Sequence, residues 1–393
     1  MNLLKHEIIK IVRSVALYVF MAACFIMNVF IVFNNTPTQT IDYLNSVGEV
    51  TGPLYGSHYL EQLEHVPVPD KDDRNRWIYN EVVWAAHNAT NVFSQLDGGR
   101  EIQRVLHEKR MPYSDITVRI QQWKYGLLEP IIEQKAANDD GASVYFGVFT
   151  PQIHFAVMNT IVTSIAMQGY VFFTLIMLWT LGFESMAGTE LVVWASKTGR
   201  KLASIKIIAA LLIGTCFFII NYTVAYFLTF TVNDYSQVWS QNISAQYNSF
   251  LDIYFGLREM PFITWSSMTV GGYFHASAAI ALLNGIVAAL FVIPFGLLIR
   301  NVYMAFSTVL GLNFFLFMFY MAGSSIGDIT PFVWSLSLIM PLIQLGHTPI
   351  WFTDGGMLML LPRFETLYPL ICVLLLSPVI AISMHRFFRK EIY

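Results

Sequence analysis

The chain has 393 residues, 55% of them apolar and only 12% charged, with a net charge of −3 and three cysteines. Charged residues at about half the share found in a soluble globular protein exclude a water-facing surface over most of the molecule. The slightly negative balance and the lack of a long basic run exclude an electrostatic footprint for nucleic acid. Cys24, Cys216 and Cys372 each lie inside an apolar run, far from one another. That placement implies neither disulfides nor a zinc site.

In chain order, the first segment carries Leu4, Ile8, Ile11 and Val12 on one helical face and Lys5, Lys10 and Arg13 largely elsewhere. This pattern predicts an interfacial helix, or alternatively an extension of the first span. The apolar run 15–33 is long enough to cross about 30 Å of hydrocarbon and too long for a signal-peptide core. Asn34-Asn35-Thr36-Pro37 makes a poor cleavage site, so the run reads as a retained anchor. Residues 34–150 turn polar and charged, with helical periodicity over 74–107 and 113–134 between turn signals. They predict a mainly helical domain outside the cytoplasm, with Trp77, Tyr79, Val83, Trp84, Val92 and Phe93 as its apolar bulk.

Further runs of spanning length follow at 154–181, 202–232, 272–298, 302–323 and 367–384. The expected fold is an all-α integral membrane protein of six transmembrane helices. Its parts are an interfacial helix with the first span (1–33), the outer domain (34–150), and spans two to six (151–393).

Lysine and arginine orient it. Lys5, Lys10, Arg13, Lys197, Arg200, Lys201, Lys206, Arg300, Arg386, Arg389 and Lys390 flank one side, against Arg258 and Arg363 in the short loops of the other. The excess predicts cytoplasmic termini. A seventh apolar stretch, 331–352, is interrupted by Pro331, Pro341, Gly346 and Pro349. A full crossing there would put the cationic tail outside, so it reads as a re-entrant or outer-leaflet hairpin. Such a hairpin either lines an exit path or packs as plain structure.

Motifs for chemistry are sparse. No Gly-Lys pair occurs, so the phosphate-cradling Walker loop is absent, and His107-Glu108 lacks the second histidine of a zinc-protease helix. Gly323-Ser324-Ser325-Ile326-Gly327 fits Gly-x-Ser-x-Gly, with His347 as the nearby base, but it follows an apolar helix, where small residues at a helix end explain it. Asn221, Asn284 and Asn313 within the spans fit interhelical hydrogen bonding.

The loop 182–201, Gly-Phe-Glu-Ser-Met-Ala-Gly-Thr-Glu-Leu-Val-Val-Trp-Ala-Ser-Lys-Thr-Gly-Arg-Lys, stands on the cytoplasmic side of this topology. Charge at both ends of a short helix there suits docking to a partner, while the plain alternative is a charged loop obeying the positive-inside rule. The loop resembles the coupling loop of type-2 ABC (ATP-binding cassette) exporter permeases, in which an acidic residue leaves the second span and a Ser/Pro-x-x-Arg-type turn leads into the third. Glu184, Gly188, Thr189, Glu190, Ser196, Lys197, Gly199, Arg200 and Lys206 carry the likeness. The span order, the N-terminal helix, the insertion after the first span and the broken hairpin extend it; the outer domain lies outside it.

The resemblance implies a permease without enzymatic activity of its own. It implies a separate cassette ATPase subunit that binds ATP and Mg, a second permease unit in a homodimer or paralogous heterodimer, and a bacterial cytoplasmic membrane. The expected activity is export of a peptide or an amphipathic or hydrophobic compound. A membrane-anchored sensor or assembly factor, binding a ligand through its outer domain, is the alternative reading.

Overall fold

The computed structural model describes residues 2–35, 37–52, 58–96, 115–138, 147–196, 199–245, 262–299, 301–323, 330–355 and 359–389. Among them the ordered elements are helices, with two isolated β-bridges and no strand. Six helices are long and apolar enough to cross a membrane: Val15–Asn35, Gly147–Met186, Gly199–Val232, Val270–Leu298, Val302–Gly323 and Phe364–Arg389, numbered here as the first to sixth spans. The chain is therefore a multi-pass membrane protein. An even number of crossings brings both chain ends to one face of the bundle, the terminal face, and the 38–137 helices to the other, the domain face.

The second and fourth spans form the centre. Their most apolar windows are 78% and 67% buried, against 17% in the first and fifth spans. Without a hydrophobic drive between helices in lipid, close approach depends on small residues facing large ones. The buried Phe173 ring of the second span supplies the large partner twice. A Cβ added at Gly214 of the third span would fall 2.4 Å from it, and one at Gly285 of the fourth span 2.5 Å.

Side-chain amides add directional contacts. Asn28 of the first span donates to Asn221 of the third (2.8 Å), Asn221 donates to Gln168 of the second (2.7 Å), and Gln168 donates back to Asn28 (2.8 Å). The ring is closed, so each amide both gives and accepts inside an apolar environment. Tyr170 donates to Asn313 of the fifth span (2.8 Å). Asn284, by contrast, bonds the Ile280 carbonyl of its own helix and no other helix among the described residues.

The second span starts earlier than hydropathy predicts, at Gly147, because Thr150, Gln152 and His154 dilute the apolar signal of its first turns. Residues Phe155–Val162 form a π-helix, and the Thr160 and Thr163 hydroxyls donate to carbonyls five residues back. Such widened turns concentrate where a helix is adapted to a site. This one faces the broken segment between the fifth and sixth spans.

On the domain face lie helices Thr38–Thr51, Tyr59–Leu63, Arg74–His87, Val92–Gln95, Asp115–Gly126 and Glu129–Ala137. Asp73 caps Arg74–His87 by accepting from the Asn75 amide at 2.8 Å. One small core gathers Leu44, Val47, Leu63, Ile78 and Val82 against Phe149 of the second span. Another packs Phe93, Tyr125 and Ile132 against Ile263 and Trp265, which precede the fourth span.

The expected core of this region holds in part. Phe93 is buried, but Trp77 and Trp84 are 55% and 53% exposed. The helix buries Ile78, Val82, Ala85 and Ala86 at spacings of four and three; Trp77, although half exposed, packs edge-on against the core ring of Phe149 at 5.3 Å.

Candidate functional site

The loop between the second and third spans is built by its glycines and hydroxyls. The second-span helix ends at Ala187, followed by Gly188 at φ +68°. The Thr189 amide bonds the Glu184 carbonyl (3.0 Å) and the Gly188 amide bonds the Ser185 carbonyl (3.3 Å). This is a Schellman ending, which needs a residue without Cβ strain at the left-handed position. Glu190 then opens the short helix Glu190–Ala195, where a carboxylate suits the positive helix end.

Ser196 closes that helix. Its hydroxyl donates to the Val193 carbonyl (2.6 Å) and accepts from the Gly199 amide (3.1 Å). Gly199, at φ +49°, turns the chain into the third span, and a Cβ there would meet the Trp194 carbonyl at 3.2 Å.

Both ends of the loop are tied into the bundle. Glu184, buried at the end of the second span, accepts from Lys10 of the N-terminal helix Asn2–Val12 at 3.0 Å and pairs with Lys206 of the third span. Lys10 also bonds Glu7 (3.0 Å) and sits 4.4 Å from the centre of the Phe183 ring. Lys206 donates in addition to the Thr180 carbonyl (2.9 Å). Two carboxylates and two ammonium groups thus neutralise one another in a cluster in which Glu7, Glu184 and Lys206 are buried and Lys10 is partly exposed.

At the other end, the Arg200 guanidinium lies 5.0 Å from the Trp194 ring and donates to the Phe388 carbonyl of the sixth span (3.3 Å). Trp194 packs edge-on against Phe387 at 5.8 Å. What remains free is the outer edge of the short helix, with Leu191 54% and Val192 75% exposed. Lys197 and Ser325 lie outside the described residues.

The sequence located this loop and its ionic ends, but missed the N-terminal helix as a partner of Glu184. The trace of that pairing in the sequence is the opposite charge of Lys10, on a helix that also carries Lys5, His6 and Glu7.

On the domain face, a second constellation secures the broken segment, which consists of helices Thr330–Ser337 and Pro341–Leu345 and a 3-10 turn Thr348–Ile350. His154 of the second span bonds the Pro349 carbonyl (2.9 Å), Tyr273 of the fourth donates to the Thr348 carbonyl (3.2 Å), and the Thr163 and Thr348 hydroxyls pair. From the 38–137 region, the fully buried Lys124 donates to the Asp354 carbonyl (3.0 Å) and the Met359 carbonyl (2.7 Å), and Tyr125 donates to the Asp354 carboxylate (2.8 Å). Burial pulls the Lys124 ammonium down to about 8 from its ordinary 10.5, against the opposing pull of Asp354.

Among the described residues no group of three or more His, Cys, Asp or Glu side chains is placed to hold a metal ion. No family model, no curated protein and no solved structure matches this chain.

Proposed function

We propose that this chain is the membrane-spanning subunit of an ATP-driven exporter, with both termini in the cytoplasm and the 38–137 helices outside. The observation that carries the reading is the 182–201 loop. A short helix offers Leu191 and Val192 to a partner, while its base is fixed to three other elements of the bundle. A push on such a helix cannot dissipate in a slack loop. It reaches the N-terminal helix and third span through Glu184, and the sixth span through Arg200 and Trp194.

In this reading ATP and Mg are bound by a separate cassette ATPase docked on this helix. A second permease unit completes the path, and binding and hydrolysis shift the pair between two states. The cargo is a peptide or an amphipathic or hydrophobic compound, and the broken segment 330–355 is a re-entrant lining of its exit.

The test is ATPase activity of the cassette protein encoded beside this chain, copurified with it in lipid nanodiscs. Glu190→Ala and Arg200→Ala should lower the permease-dependent component severalfold while both subunits stay folded. A chain that associates with no cassette ATPase would end the exporter reading.

A further inference from the structure

Helix Asp115–Gly126 on the domain face inverts the usual amphipathic pattern. Its polar side is the buried one: Thr117, Gln121 and Lys124 have no exposed surface. Gln121 and Lys124 both donate to the Met359 carbonyl, at 3.4 and 2.7 Å, and Tyr125 donates to the Asp354 carboxylate. The apolar side faces outward, with Ile116 62%, Trp123 53% and Leu127 41% exposed and Ile120 half-buried between them. The Leu127 amide still bonds the Trp123 carbonyl at 3.3 Å, so the helical turn runs on through it. Spacings of four, three and four therefore put these residues in one stripe about three turns long. A soluble domain packs such a stripe against its own core; here the core side is already occupied by the polar face.

The helix is held at the mouth of the membrane bundle. Met359, which accepts from it, and Trp265, which shares a small core with Tyr125 and Leu128, each stand five residues before the first residue of a span, Phe364 and Val270 respectively. The stripe has the composition of a membrane boundary, where tryptophan is enriched beside aliphatic side chains. Arg119 is exposed on the edge of the stripe away from the buried face, three residues from Ile116 and four from Trp123. From there its stem can follow the apolar side chains while the guanidinium reaches a phosphate. Four side chains on one helix also fall well short of the roughly 20–30 residues per side that a stable protein–protein interface uses.

We infer that helix Asp115–Gly126 is a membrane-surface helix: the Ile116, Ile120, Trp123 and Leu127 stripe rests on the phospholipid of the leaflet at the domain face, its side chains among the upper acyl chains and Arg119 at the level of the headgroups. An apolar helix face buried at the boundary between headgroups and acyl chains is the geometry of interfacial helices in general. Through Lys124 and Gln121 the same helix carries that contact to the residues leading into the sixth span. The inference rests on the multi-pass fold and not on the exporter reading; it holds equally for a sensor of the same topology.

The experiment uses the full chain in nanodiscs of phosphatidylcholine and phosphatidylglycerol, with the exposed Cys216 changed to serine and a single nitroxide attached through Ile116→Cys, Gln122→Cys, Trp123→Cys or Leu127→Cys. Power-saturation EPR compares collisions of each label with oxygen, which concentrates among acyl chains, and with a water-soluble nickel chelate. Expected is a severalfold preference for oxygen at the three stripe positions and for the chelate at Gln122→Cys, which is exposed outside the stripe. Adding Ile116→Glu and Leu127→Glu, both at exposed positions, should leave the melting point in detergent unchanged and shift the label at Trp123→Cys severalfold from oxygen towards the chelate. If that combination does not fold, the contrast between Gln122→Cys and the stripe decides alone. Chelate preference at all three stripe positions would overturn the inference, because the stripe then stands in water. Weak collision with both reagents would overturn it as well, because protein, either a second copy or another chain, then covers the stripe.

Discussion

Glu184 is the residue on which the terminal face turns. Its two carboxylate oxygens serve different partners, Lys10 on one side and Lys206 on the other, and Lys206 is almost fully buried. Removing the carboxylate leaves that ammonium with the Thr180 carbonyl as its hydrogen-bond acceptor among the described residues and Glu7 as the remaining carboxylate of the cluster. Breaking one side of a buried pair costs about 3–5 kcal/mol, whereas replacing both sides by apolar groups is often close to neutral. Glu184→Ala should therefore lower the thermal stability of the detergent-purified chain sharply. The double change Glu184→Ala with Lys206→Met should recover most of the loss. A single variant as stable as wild type would mean that water, rather than the carboxylate, satisfies Lys206.

At the scale of helices, Phe173 sets the spacing of the bundle centre. One ring fills the notches left by Gly214 and Gly285, so two neighbouring helices are held against the second span by a single side chain. Hydropathy located each of these helices, the third and fourth to within three residues and the second with its first turns missed, since an apolar run of spanning length is a local property. It said nothing of which would be central, because all six are similarly apolar along their length while only their glycine and aromatic positions differ. Gly285→Ala should cost about 1–3 kcal/mol in unfolding stability, the usual range for overpacking. Phe173→Leu in the same chain should return part of it, because the smaller side chain vacates the space the new methyl needs. Circular-dichroism melts of Gly285→Ala, of Phe173→Leu alone and of the double variant would separate this relief from simple additive damage, which would appear as a still lower melting point.

Across the whole molecule, the 38–137 helices and the broken segment act as one body through Lys124. Its folded-state value of about 8 lies below the ordinary 10.5, so between those two pH values the unfolded chain holds a proton that the folded chain has released. Stability then rises with pH across that window. Below about pH 8 both states are protonated and the full cost of burying the cation is present. Measured against Lys124→Met, wild type should gain stability as pH climbs from about 8 towards 10.5, and a constant difference between the two would refute the buried cation. Lys124→Met should also loosen residues 351–355 and 359–360, since the Asp354 carbonyl loses the ammonium and the Met359 carbonyl is left with the longer bond from the Gln121 amide (3.4 Å).

The sequence by itself determined the membrane class, the number and approximate place of the spans, and the position of the 182–201 loop between the second and third. These rest on apolar run length, which is a local property of the chain. Tertiary structure alone decided that Glu184 meets Lys10 across most of two spans, and that Asn28, Gln168 and Asn221 close a ring. It also decided that Trp84 lies half exposed while Trp77 rests edge-on against Phe149, and that Lys124 is a buried cation tying the 38–137 helices to the broken segment. Each of those is a pairing between residues far apart in the chain. A pairing of that kind has no local periodicity to announce it; it exists only once packing has fixed which faces meet.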